Sequence, residues 1–224
     1  MGTDNLFKKR QQKAQKQPTR ATKNLSANKV LLIVCEGEKT EKNYFEALKH
    51  MFKVPSVQVV IDAGSGSAPN SVVKYAKEKL DKNPNVYDEI YCVFDKDKHA
   101  KFNNAHNTIK NIQESNKKSN KDIIFKGIVS DPCFEFWILL HFTKTTQQFG
   151  ASGLSPCDEV QKHKKFLKDY KKDYDFTKII ESSLETAIKN ANEVNALNES
   201  QSISPYTQVV YLVQRIKEIG KNND

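Results

Sequence analysis

Three acidic residues stand where apolar runs stop. Glu36 follows Val30-Leu31-Leu32-Ile33-Val34-Cys35 and is itself followed by Gly37, while Asp95 and Asp97 follow Ile90-Tyr91-Cys92-Val93-Phe94 as Asp-Lys-Asp. Two carboxylates one residue apart on an extended exit face the same side, and a ligand set made only of oxygen suits a hard divalent cation. Mg²⁺ is the expected ion, with Mn²⁺ as an alternative. Glu36 alone would read as a solvated loop residue, and Asp-Lys-Asp alone as a charged turn. The repetition of acids at the same end of two runs is what carries the metal reading. Crowded in one crevice, such groups cannot all stay ionised without a cation.

A fourth acid, Glu135, sits inside Cys133-Phe134-Glu135-Phe136-Trp137-Ile138-Leu139-Leu140-His141-Phe142, a segment apolar almost all round. A buried carboxylate must meet a cation, a metal or hydrogen-bond donors. One turn from the start of its helix, Glu135 is expected to join the acids as a ligand or as support for one. His141, further along, reads first as a satisfied core histidine and second as a proton carrier. Asp131, in Ser130-Asp131-Pro132, reads as a helix cap before it reads as a ligand.

The elements that must position these groups follow from pattern. Residues 30–34 form an unbroken apolar run, as does 90–94, and such runs mark strands covered on both faces of a parallel sheet. Further strands are expected over 56–62 and 123–129. In open α/β sheets, ligands bind beyond the carboxyl ends of the strands, so acids placed there are placed for chemistry. Gly37 permits the tight exit after the first strand. A helix follows over 39–52, another begins near Asn70 or Ser71, and one lies around 108–114. Beyond a loop at 143–156, helices are expected at 158–170, 177–197 and 205–219, the last signalled by Ser204-Pro205. Ala63-Gly64-Ser65-Gly66-Ser67 lacks both the lysine of a phosphate loop and dinucleotide spacing, so it reads as a connector.

The chain of 224 residues has a formal charge of +9. Residues 1–29 carry eight Lys or Arg against Asp4 alone, which concentrates the basicity in a flexible tail suited either to phosphate attraction or to plain solvation. The expected organisation is this tail, an α/β core over 30–142, and a helical extension over 143–224 packed on the same domain. Lys96 and Lys98 lie beside the acids. Lys164, Lys165 and Lys171 are interleaved with Tyr170 and Tyr174, a mixture that can hold single-stranded nucleic acid or face solvent. No segment has the length of a membrane span or the form of a signal peptide, so the cytoplasm is expected. Cys35, Cys92, Cys133 and Cys157 show no zinc-type spacing and read as reduced core residues.

Taken together, the segments Val34-Cys35-Glu36-Gly37-Glu38-Lys39-Thr40-Glu41, Asp95-Lys96-Asp97 and Asp131 through Phe142 resemble the RloB family, over about residues 30–219. That resemblance implies a Toprim-like fold, shared with topoisomerases and bacterial-type primases. It places Glu36, Asp95 and Asp97 in a Mg²⁺-binding catalytic cluster that cuts phosphodiesters, with Glu36 able to double as general base. Glu41 stays secondary. Ser-Asp-Pro stands where the family pattern is expected to have Ser-Asn-Pro. The resemblance also implies an ABC-type ATPase partner and a role in abortive infection against phage. DNA and RNA both remain open as substrate. The alternative is a non-catalytic nucleic-acid-binding or regulatory subunit of an ATPase complex, its acids holding a structural metal. A haloacid-dehalogenase-like phosphatase or a receiver domain would need its paired acids after the first strand, where this chain has Glu-Gly.

Overall fold

The computed structural model describes residues 29–63, 66, 68–96 and 102–222. Its centre is a sheet of five strands in the order β2-β1-β3-β4-β5, formed by β1 (Leu31–Cys35), β2 (Val59–Ala63), β3 (Glu89–Asp95), β4 (Ile124–Asp131) and β5 (Tyr206–Thr207). The first four run parallel, and β5 alone pairs antiparallel, with Ser130 opposite Thr207 and Asp131 opposite Tyr206. Seven helices are described: α1 (Thr40–Met51), α2 (Pro69–Lys82), α3 (Phe102–Lys118), α4 (Phe134–Leu140), α5 (Pro156–Gln161), α6 (Thr177–Asn198) and α7 (Val209–Lys221). The α/β class read from the sequence is the class observed.

Strand side chains alternate between two apolar layers because successive residues point to opposite faces. Leu31, Ile33, Cys35, Tyr91 and Val93 face one layer, with α1, α4, α6 and α7. Leu32, Val34, Ile90, Cys92 and Phe94 face the other, with α2 and α3. Both faces being covered explains why β1 and β3 have no polar alternation, and each such side chain stabilises the fold by roughly 1.5–3 kcal/mol relative to exposure.

Several elements depart from expectation. The helix after β3 spans Phe102–Lys118, far longer than 108–114, since Ala105 and Ile112 anchor an otherwise polar face. Residues 162–170, expected to belong to a helix from 158 to 170, form turns instead, as do the residues up to 176: α5 ends at Gln161. Its start is strongly fixed, Ser155 Oγ accepting the Asp158 N–H at 3.1 Å with Pro156 behind it. Pro205 does not begin the last helix. It follows a cis bond from Ser204, and the chain first runs through β5 before α7 starts at Val209.

The C-terminal part is therefore not only helical. Asn195 on α6 clamps β5 from both sides, donating to the Thr207 carbonyl at 2.7 Å and accepting the Thr207 N–H at 3.0 Å. Among the described residues, no helix is long and apolar enough to cross a membrane. The basic tail lies outside the described residues, apart from Lys29.

Candidate active site

Strand order decides where a ligand can sit. From β1 the chain leaves through α1 toward β2 on one side, and from β3 it leaves through α3 toward β4 on the other. Between two neighbouring strands whose connections diverge, a crevice opens at their carboxyl ends. Glu36 and Asp95 are the first residues past β1 and the last of β3, so each borders that crevice.

The two acids are in direct contact through the backbone. Glu36 N–H donates to the Val93 carbonyl at 3.1 Å, which extends the ladder by one residue. The Glu36 carboxylate in turn accepts the Asp95 N–H at 3.2 Å. Asp95 Oδ1 accepts the Phe134 N–H at 2.9 Å, tying the end of β3 to the start of α4. Asp97 and Lys98, expected beside them, lie outside the described residues.

Two further carboxylates close in. Glu41, on the first turn of α1, is only 7 % exposed, and its carboxylate folds back on Gly37 so closely that a Cβ there would overlap it. Gly37 is thus needed for space. Glu135, on α4, is 9 % exposed and accepts from Tyr170 Oη at 2.8 Å and from Gln161 Nε2 at 3.3 Å. These donors are uncharged. Burial pushes the Glu41 carboxyl up to about 7, helped by the charges of Glu135 and Glu36 against hydrogen bonds that oppose it. Asp95 is raised well above the ordinary aspartate range, first by the protein packed around it and then by Glu41, Glu135, Cys157 and Glu36. Four acids from three connections therefore share one electrostatic environment.

The turn segment 162–176 covers this cluster, a role hidden from sequence because its anchor is a single hydroxyl. Tyr170 Oη bridges Glu135 and Thr40 Oγ1, the latter at 3.1 Å, and Thr40 also donates to the Lys172 carbonyl at 3.4 Å. Lys164, Lys165 and Lys171 are exposed on the same segment.

Other expected participants are placed elsewhere. Lys96 is ion-paired with Asp131 at 2.8 Å and lies over the Tyr206 ring, so it is not a free rim cation. Asp131 is spent on that pair. It ends β4 before a cis Asp131-Pro132 bond, and the residue capping α4 is Cys133, with no side-chain capping bond. The helix-cap reading of Ser130-Asp131-Pro132 is corrected accordingly. His141 is a satisfied core group: Nε2 meets Tyr44 Oη at 2.9 Å and Nδ1 meets Ser183 Oγ at 3.0 Å. Burial drives its pKa down to about 3, so it stays neutral.

Sequence reasoning missed a grouping of Cys133, Glu135 and Cys157, whose ligand-type atoms all lie within 4.8 Å of one another. The 23 residues between the cysteines give no motif; only the packing of α5 against α4 reveals it. A cleft of about 1330 Å³ is lined by Lys96, Lys110, Lys117, Lys126, Phe102 and Tyr211 among others, and by none of the four acids Glu36, Glu41, Asp95 and Glu135.

Comparison with known proteins gives one match. The family model described as RloB-like protein covers residues 31–216. No curated protein and no solved structure matches.

Proposed function

The chain belongs to the RloB-like protein family, and from that premise and the switch-point acids we propose that it is a Mg²⁺-dependent phosphodiester hydrolase of Toprim type, acting on DNA or RNA. The observation that supports this most directly is the contact between Glu36 and Asp95 across the crevice, surrounded by Glu41 and Glu135. An all-oxygen donor set with raised carboxyl pKa values fits a hard cation, which would take the place of the protons these groups otherwise retain.

Glu36 and Asp95 would hold the ion, with Asp97 completing the set. Bound there, Mg²⁺ supplies polarisation of a phosphoryl oxygen and a lowered pKa for attacking water. Glu36, its carboxylate held by the Asp95 N–H, would accept a proton from the attacking water. Tyr170 holds Glu135 in place and excludes bulk water from one side. Exposed Lys164, Lys165 and Lys171 offer counter-charges for a phosphate backbone, and Lys110, Lys117 and Lys126 line a second surface that a longer strand would reach.

As the family resemblance implies, the hydrolase would act in phage defence with an ABC-type ATPase partner. The test is incubation of the purified chain, alone and with such a partner and ATP, with single- and double-stranded DNA and RNA in Mg²⁺. Cleavage lost in Glu36→Ala and Asp95→Ala supports the assignment; equal cleavage in both variants overturns it. A second reading, a non-catalytic subunit, draws on the same hydrogen bonds: Glu36 and Asp95 each fasten backbone, which a purely structural clasp also requires. It predicts metal-dependent stabilisation without cutting under every condition.

A further inference from the structure

We propose that Cys133, Cys157 and Glu135 form a second metal site, for a thiophilic divalent cation such as Zn²⁺, beside the magnesium crevice and chemically distinct from it. Their two sulfurs and one carboxylate oxygen lie within 4.8 Å of one another. Tetrahedral zinc, with bonds of about 2.3 Å to sulfur and 2.0–2.2 Å to oxygen, sets ligand atoms roughly 3.5–4 Å apart. The separations in the fold are thus within roughly an ångström of that requirement.

The ligands come from well-held positions. Cys133 is 0 % exposed at the junction of β4 and α4, and Glu135 follows two residues later on α4. Cys157 is partly exposed on α5, whose start is fixed by Ser155 and Pro156. Two sulfurs select zinc over magnesium, since soft donors discriminate against a cation that prefers oxygen and water. On binding, each thiol releases a proton to solvent, and two thiolates with one carboxylate then face the cation. Three protein ligands leave a fourth position for water. Metal held here would also pin α5 to α4 and so steady Gln161, which donates to Glu135.

The experiment uses the full chain, fully reduced, titrated with Co²⁺ as a spectroscopic substitute for Zn²⁺. A thiolate-to-cobalt charge-transfer band saturating at one equivalent is expected, bleached by Zn²⁺ and unaffected by millimolar Mg²⁺. Cys157→Ser is the deciding variant because its partial exposure spares the core, and circular dichroism monitors its fold. It is expected to weaken cobalt binding at least 100-fold, and Glu135→Gln about tenfold. No charge-transfer band in the wild type, a band of full strength in Cys157→Ser, or displacement by Mg²⁺ would each overturn the site. The readout needs no substrate, so it stands apart from the hydrolase assignment.

Discussion

Strand β3 carries an acid at each end, and the two are treated in opposite ways. At the amino end, Glu89 is 2 % exposed and receives Arg215 Nη2 at 2.7 Å, Arg215 Nε at 2.9 Å and Tyr91 Oη at 2.8 Å, with Lys29 at 3.7 Å. Burial pushes its carboxyl up, but the Arg215 and Tyr91 hydrogen bonds outweigh that and hold it below the usual range. At the carboxyl end, Asp95 receives a backbone N–H and is crowded by Glu41, Glu135 and Glu36, which raise it. One strand thus holds an acid completed by its own protein and an acid left to be completed from outside. The first kind is structural; the second is where the proposed cation would bind.

The sharpest way to break this comparison is to neutralise each acid. Asp95→Asn is expected to lower Mg²⁺-dependent phosphodiester hydrolysis by about 10³-fold or more while leaving the melting temperature unchanged or higher, since it relieves like charges. Glu89→Gln should leave turnover per folded molecule within about twofold. If Glu89→Gln silenced hydrolysis with the fold intact, the division between the ends would fail.

Stability should respond in the reverse order. Arg215→Met strips Glu89 of its main partner and is expected to cost about 3 kcal/mol in urea unfolding, because a buried charge is left unpaired. Adding Glu89→Gln should recover part of that loss, which a double-mutant cycle measures.

The two ends also pull the pH profile in opposite directions. Glu41 is raised in the fold, so the proton it retains contributes stability fully present below its unfolded value and lost as pH rises through about 7, and Asp95, also raised, acts in the same direction. Glu89 is lowered, so its contribution is present above its unfolded value and lost in acid. His141, held down to about 3, adds a second acid limb that opens as pH falls below its unfolded 6.5. Glu41→Gln should flatten the limb between pH 5 and 8 by up to about 3 kcal/mol, the equivalent of its shift. Thermal melts across pH check the sign.

Mg²⁺ should raise the melting temperature more at pH 8 than at pH 5.5, because it competes with the protons that the raised crevice acids retain. Saturation at about 100 Kd corresponds to roughly 2.7 kcal/mol. A modest effect is expected from Gly37→Ala, whose methyl group displaces the Glu41 carboxylate and should reduce hydrolysis less than tenfold.

Much of this was legible in the residues. Unbroken apolar runs marked β1 and β3, and the acids beyond them met as their shared strand end required. The inward faces of α6 and α7 followed helical spacing: Ile179, Leu184 and Ala191, and Val209, Val213 and Ile216, are buried. What stayed hidden was set by tertiary contact. Lys96 and Asp131 are oppositely charged neighbours of two different strands, and only the β3–β4 pairing brings them together. Tyr170 reads as one aromatic among lysines until its hydroxyl is seen on Glu135. Two residues, Tyr206 and Thr207, form a strand too short to show any alternation.

That short strand sets an order of events during synthesis. The flank of β4 beside Ser130 and Asp131 is paired by residues 206–207, which leave the ribosome more than seventy positions after it. Until then the nascent chain presents a bare strand margin next to a nearly finished acid crevice. Completion of the sheet therefore arrives late, and a product released early, before Pro205, would offer its open flank to chaperones or proteases.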